Sequence, residues 1–219
     1  MSNTSLGKAE KGSKYWMQLV PGTELKQEFD KAVNDEVTWL SPLEGEDYRE
    51  YELRETPICK ALGITDSKSA FDFWPHRQPQ WDGIAVSEKT GTLYLVEAKA
   101  HTKEMESICR AGEVSRRLIE QAMQYIHDTY YNKANYLLWT ECFYQLGNRL
   151  TYLKKMQEMK LEKYPNVKLV LLNFVNDRKY KPTSLAEWEA HYKAVMPDMT
   201  GMDDIPEDVE IVYIDVENR

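Results

Sequence analysis

The chain has 219 residues, 42% of them hydrophobic, with 28 Lys and Arg against 36 Asp and Glu, a formal net charge of −8. That length suits one domain, the apolar content excludes global disorder, and the negative total disfavours a general polyanion binder. The longest nearly apolar run, 167–175, is interrupted by Lys168 and Asn173 and is far shorter than the roughly 20 residues a membrane span needs.

Residues 1–14 (MSNTSLGKAEKGSK) hold no apolar core of the signal-peptide kind and read as a flexible polar leader, leaving 15–219 as a single α/β domain. Next, Leu25, Phe29, Ala32, Val33 and Val37 recur at helical spacing and predict a helix over 23–39, with Thr23 as its cap. A second helix is predicted over about 44–62, kinked near Pro57 and closed by Gly63. The period then changes. Residues 71–74 predict a short strand, Gln80–Val86 a second and Thr92–Ala100 a third, the last two joined as a hairpin through Lys89, Thr90 and Gly91.

A long helix is expected over 113–131, with Ile119, Met123, Ile126 and Tyr130 on one face, and another over about 137–162. The string VKLVLLNFV fits a buried strand. A helix over 183–195, capped by Thr183 or Ser184, and the strand VEIVYIDV complete the chain. The order predicts a mixed α/β sheet with helices on its faces.

Charge is unevenly spread. Residues 35–55 carry eight acids against Arg49 and Arg54, a net of −6, and 201–219 carry seven against Arg219, again −6. Residues 144–181 carry nine Lys and Arg against Glu158, Glu162 and Asp177, a net of +6, so a local basic surface and a nucleic-acid partner stay open. The acidic C-terminal stretch also makes a protein partner plausible. Cys59, Cys109 and Cys142 are scattered without a Cys-x-x-Cys pair, which points to a reducing, cytoplasmic setting rather than a disulfide framework. Oligomeric state is not legible, since no heptad pattern is present.

The informative stretch is QWDGIAVSEKTGTLYLVEAKAH. Side chains at i and i+2 of a strand share a face, so Glu97 and Lys99 point one way, with His101 next if the strand persists. An acid and a lysine closing an otherwise apolar strand are costly to bury unless something balances them. Asp82 lies in the preceding strand, where cross-strand pairing brings it beside Glu97. Two converging carboxylates suit a hard cation such as Mg²⁺, and a nearby lysine can orient water or meet developing negative charge. The bare (Asp/Glu)-x-Lys pattern is weak evidence. It begins at Glu24, Asp66, Glu97, Glu158 and Asp177, and only at Glu97 does it follow an apolar strand with an Asp in the strand before. The plain alternative is a surface ion pair worth at most about 1 kcal/mol.

Asp82 followed by Glu97-Ala98-Lys99 resembles the PD-(D/E)XK nuclease superfamily, with its restriction-endonuclease-like core of helix, three-stranded meander, helix and strand. The resemblance spans the helix at 44–62 through that at 113–131, with 167–175 as its continuation. It implies that Asp82 and Glu97, with the Ala98 carbonyl, hold Mg²⁺ (Mn²⁺ as substitute). It also implies that Lys99 is catalytic, that DNA is the substrate, and that a further acid comes from the preceding helix. Glu50 is the choice there, with Glu46, Glu52 and Glu28 as competitors. Trp81 stands where the family places Pro. Gln121 and Tyr125, one helical turn apart, are similar to the Gln-x-x-x-Tyr motif of RecB-like exonucleases in the same superfamily. They and Arg117, on the same stripe, are candidate substrate contacts, as is His101. A noncatalytic interaction module on the same fold is the alternative. Tyr144, Gln145, Asn148 and Arg149 read as an interhelix hydrogen-bond network, and Trp74 and Trp81 as core.

Overall fold

A computed structural model describes residues 7–219. Near the start, α1 (Gly12–Leu19) and α2 (Leu25–Ala32) precede β1 (Thr38–Ser41). Two short helices follow, α3 (Thr56–Leu62) and α4 (Ser67–Ala70), then the hairpin strands β2 (Gly83–Ser87) and β3 (Thr92–Lys99). Three helices come next: α5 (Glu113–Tyr130), α6 (Tyr136–Glu141) and α7 (Tyr144–Met159). The chain then runs through β4 (Asn166–Val175), α8 (Leu185–Thr200) and β5 (Val209–Asp215). The strands form one mixed sheet in the order β1-β2-β3-β4-β5. The first three pair antiparallel, and β4 and β5 continue parallel to β3.

Alternation along the central strands builds two cores. Tyr94, Val96 and Ala98 of β3, with Val170, Leu172 and Phe174 of β4, pack under Trp16, Met17, Leu25 and Phe29 of α1 and α2. Leu93, Leu95, Leu169 and Leu171 point the other way, into a larger core with Ile58, Met123, Trp139, Leu150 and Trp188. Helices thus cover both faces, which is why β4 reads as an almost continuous apolar run. α7 approaches α6 closely at Gly147, where a Cβ would sit 2.8 Å from Met123 Cε and 3.0 Å from Trp139 Cβ. At the hairpin tip, Asp35 accepts hydrogen bonds from the hydroxyls of Ser87, Thr90 and Tyr94. Burial works against that carboxylate, yet the three donors hold its pKa below the ordinary value.

Several expectations need correction. The leader expected over 1–14 falls partly on residues 1–6, outside the described residues; α1 already begins at Gly12, and the Ala9 N–H donates to Gln18 Oε1 at 2.8 Å. The helix expected to reach residue 39 stops at Ala32, with Asn34 at φ 51°. Residues 38–41 supply the first meander strand instead of 71–74, where the chain turns and buries Phe71 and Trp74. Only 56–62 of the helix expected over 44–62 is α-helical, because Asp47 and Tyr48 take positive φ. The helix expected over 137–162 is two, broken at Cys142 and Phe143.

The basic surface expected over 144–181 is largely paired off. Lys154, Lys168 and Arg178 bind Asp208, Glu210 and Glu217, so acids of the C-terminal stretch are counter-charges. Among the described residues, no helix is long and apolar enough to cross a membrane.

Candidate active site

Strand register assembles the carboxylates. The β2–β3 ladder ends with Gly83 opposite Val96, leaving Asp82 just beyond it beside the Glu97–Ala98 part of β3. Tyr51 forms an antiparallel bridge with Trp81, which brings Glu50 towards Asp82. Glu50, Asp82 and Glu97 therefore form a row across three adjacent segments. Asp82 ends its approach on the backbone, with Oδ2 accepting the Ala98 N–H at 2.8 Å.

Glu97 and Lys99 emerge on the same face of β3, the face of the larger core, and are 3% and 8% exposed. Lys99 Nζ donates to Glu97 Oε1, and also to Gln145 Oε1 at 3.0 Å. Arg149 of α7 donates from Nε to Glu97 Oε2 at 2.6 Å, and from Nη2 to the Gln80 carbonyl at 2.7 Å. Its guanidinium lies 4.3 Å from the centroid of the Trp81 ring. That contact gives the indole a cation–π partner, which favours burying both. Gln145 and Arg149, one helical turn apart, thus face the acid–lysine pair directly. The sequence assigned them to ordinary interhelix bonding; the signal was two polar residues at i and i+4 in a helix otherwise buried through 146–153.

The electrostatics separate the two central acids. Burial alone would raise the Glu97 pKa, but Arg149 and Lys99 hold it below the usual carboxylate range. Burial alone would depress Lys99, yet Glu97 and Asp82 raise it, so the ammonium is retained. For Asp82, burial and then the Glu97 charge push the pKa up to about 7, Glu50 adds to the rise, and Lys99 and the Ala98 N–H oppose it. Asp82 is the under-compensated member of the row.

A divalent cation at the row would answer that deficit. Asp82 and Glu50 are both partly open to solvent, and Mg²⁺ commonly takes one or two carboxylates with waters completing its shell. Glu50 is already paired with Lys14 of α1 at 3.1 Å. Each Glu97 oxygen is engaged by a cation, so Glu97 would join only through its remaining lone pairs or by releasing one partner. The donor set fits at Asp82 and Glu50 and is obstructed at Glu97. Among the described residues, no group of three or more His, Cys, Asp or Glu is already arranged as a metal site.

The other sequence candidates lie apart from this row. β3 ends at Lys99, and His101 Nδ1 accepts the Lys103 N–H at 3.1 Å, capping a 3₁₀ turn over Thr102–Glu104. Arg117 pairs with Glu113, Tyr125 is 49% exposed and donates to Glu158 at 3.1 Å, and Gln121 is exposed. None of these three has a hydrogen bond to the acid row among the described residues. Arg116 pairs with Glu120. Glu46 accepts the Tyr51 hydroxyl, and Glu28 binds Arg219.

Fold and site together describe a mixed-sheet α/β protein carrying a buried acid–lysine–arginine cluster at the open end of its central hairpin. No family model matches the chain, and neither does any curated protein or any solved structure.

Proposed function

We propose that the chain is a metal-dependent nuclease that hydrolyses phosphodiester bonds of DNA on a restriction-endonuclease-like core. The observation that carries this reading is the convergence of Glu50, Asp82 and Glu97 from three neighbouring segments, with Lys99 Nζ bound to Glu97. An antiparallel β1-β2-β3 meander, a helical crossover and a parallel β4 support the core assignment.

Mg²⁺ or Mn²⁺, when bound, would supply an acidified water and neutralise charge on a phosphoryl oxygen. Asp82 and Glu50 would hold it, with the Ala98 carbonyl and Glu97 beside them. The chain's own contribution is positioning. Arg149 fixes Glu97, Glu97 and Gln145 fix the Lys99 ammonium, and its third N–H is left for an oxygen of the reacting phosphate. The cavity touching Glu97 and Lys99 measures only ≈ 10 Å³, and Asp82 and Glu50 are the acids partly open to solvent.

The test is Mg²⁺-dependent cleavage of single-stranded and duplex DNA by wild type, Asp82→Asn, Glu50→Gln and Lys99→Met, with folding checked by circular dichroism. Loss of one transition-state donor typically costs about 10²–10³ in rate, so folded Lys99→Met should fall by that much. Equal rates in all four proteins, or an inactive wild type, reject the assignment. A second reading, a noncatalytic interaction module on the same fold, is favoured by one feature: Arg149 already neutralises Glu97 in a nearly closed interior. An inactive wild type that still binds DNA would select it.

A further inference from the structure

A cleft of ≈ 780 Å³ lies between the 74–79 loop, the 108–112 loop and one side of α5 and α7. Its charged lining is Arg77 and Arg110, His76 stands beside them, and no carboxylate lines it. Both arginines are exposed. Neither has a salt bridge or a side-chain hydrogen bond among the described residues, whereas every other arginine of the chain binds a carboxylate or a carbonyl. In a protein of net charge −8, two idle guanidinium groups in one acid-free cleft indicate an anionic occupant.

A second observation agrees. Gln78 lines the cleft, is 4% exposed, and leaves its Nε2 without a hydrogen-bond partner among the described residues. A buried amide donor without an acceptor is unfavourable unless a ligand oxygen meets it. Ile108, 57% exposed, and the buried Trp74 and Ile119 give the same cleft apolar wall. Guanidinium donors, an amide donor and apolar surface together suit alternating phosphates and sugars or bases better than a carboxylate-rich peptide.

The cleft is also tied to the acid row through packed side chains. Asn148 lines it and accepts from Arg149 Nη1 at 3.2 Å, and Arg149 grips the Gln80 carbonyl two residues before Asp82. The loop that forms one wall runs on directly into Trp81 and Asp82.

We propose that this cleft binds a single nucleic-acid strand, with Arg77 and Arg110 on its phosphates and Gln78 Nε2 on a phosphate or base oxygen. This rests on the reading of DNA as substrate and adds a strand-binding subsite to it.

The experiment is fluorescence anisotropy of a labelled oligothymidylate, measured with EDTA over a salt series, on the full chain. Arg77→Gln/Arg110→Gln and Gln78→Leu are compared with wild type and with Arg219→Gln, which removes one positive charge outside the cleft. The double variant should bind about tenfold more weakly or worse, with a log K against log salt slope shallower by about 1–2; Arg219→Gln should bind as wild type does. Wild-type affinity and slope in the folded double variant overturn the proposal. So does arginine-dependent binding of duplex or of polyglutamate without binding of the single strand. Since binding is read without metal, Asp82→Asn that cleaves like wild type defeats the nuclease reading alone, and an unaltered double variant defeats the cleft alone.

Discussion

Arg149 reaches across the Trp81 indole to Glu97, with Nε 2.6 Å from Oε2 and both side chains almost wholly buried. A buried pair of this kind adds little net stability when whole, because desolvation offsets the attraction, but removing one member leaves an uncompensated charge. Arg149→Met should therefore destabilise the fold by about 3–5 kcal/mol, and Glu97→Gln in the same chain should recover part of that loss. Urea unfolding of the two single variants and the double gives the coupling directly. A loss in Arg149→Met under about 1 kcal/mol would show that Lys99 alone suffices for Glu97.

Asp82 sets a pH dependence. Its folded-state pKa is raised, to about 7 from 3.8, so the native state binds the proton more tightly than the unfolded chain. The stabilising contribution is complete below about pH 4 and is lost as pH rises through 7. Asp82→Asn should remove this component, so its stability should gain on wild type progressively from pH 4 to 8. Mg²⁺ at the row would lower the wild-type midpoint. Carboxyl NMR titration of Asp82 with and without Mg²⁺ checks both statements; a midpoint near 4 in the metal-free protein contradicts them.

On the same face of the sheet as Glu97 and Lys99, Tyr192 of α8 donates to Asn173 Oδ1 at 2.9 Å, and Asn173 Nδ2 donates to the Leu171 and Val212 carbonyls. Both residues are buried. Tyr192→Phe should cost about 1–3 kcal/mol, since it strands the amide oxygen in the core. Thermal unfolding measures this, and an unchanged midpoint would mean that the oxygen finds another donor.

Gly147 lets α6 lie against α7. An added Cβ would meet Trp139 Cβ at 3.0 Å and the Trp139 carbonyl at 3.1 Å, neither being the free end of a flexible side chain. Gly147→Ala should lose about 1–3 kcal/mol through overpacking, despite the gain in helix propensity. Because α7 carries Gln145 and Arg149, the proposed cleavage of DNA should fall with it. Chemical denaturation together with the cleavage assay tests the pair of effects.

The central hairpin was legible because its period is unambiguous. Alternation alone puts Glu97 and Lys99 on one face, while Asp82 meets β3 through its side chain on the Ala98 N–H. Glu50, expected on a helix, reaches the same row by another route, a single bridge between Tyr51 and Trp81. The first meander strand is hidden in the sequence, because Val33 and Val37 prolong the helical spacing of α2 past the point where Asn34 turns the backbone left-handed. Phe71 and Trp74 resembled a strand although they are core residues of a turn. Arg149 could not be placed because its partner is 52 positions away in sequence, and no local pattern encodes such a distance.

Asp35 gathers Ser87, Thr90 and Tyr94 onto one carboxylate, so the β2–β3 reversal is fastened to the N-terminal part of the chain. Reversals of this sort are ordinarily the favoured positions for grafts, epitope tags and new chain termini. Here an insertion at Lys89 or Thr90 would pry the hairpin from its anchor and loosen the strands leading to Asp82 and Glu97. The exposed segment 178–182, which follows β4, is the better point of entry for anyone re-engineering this molecule.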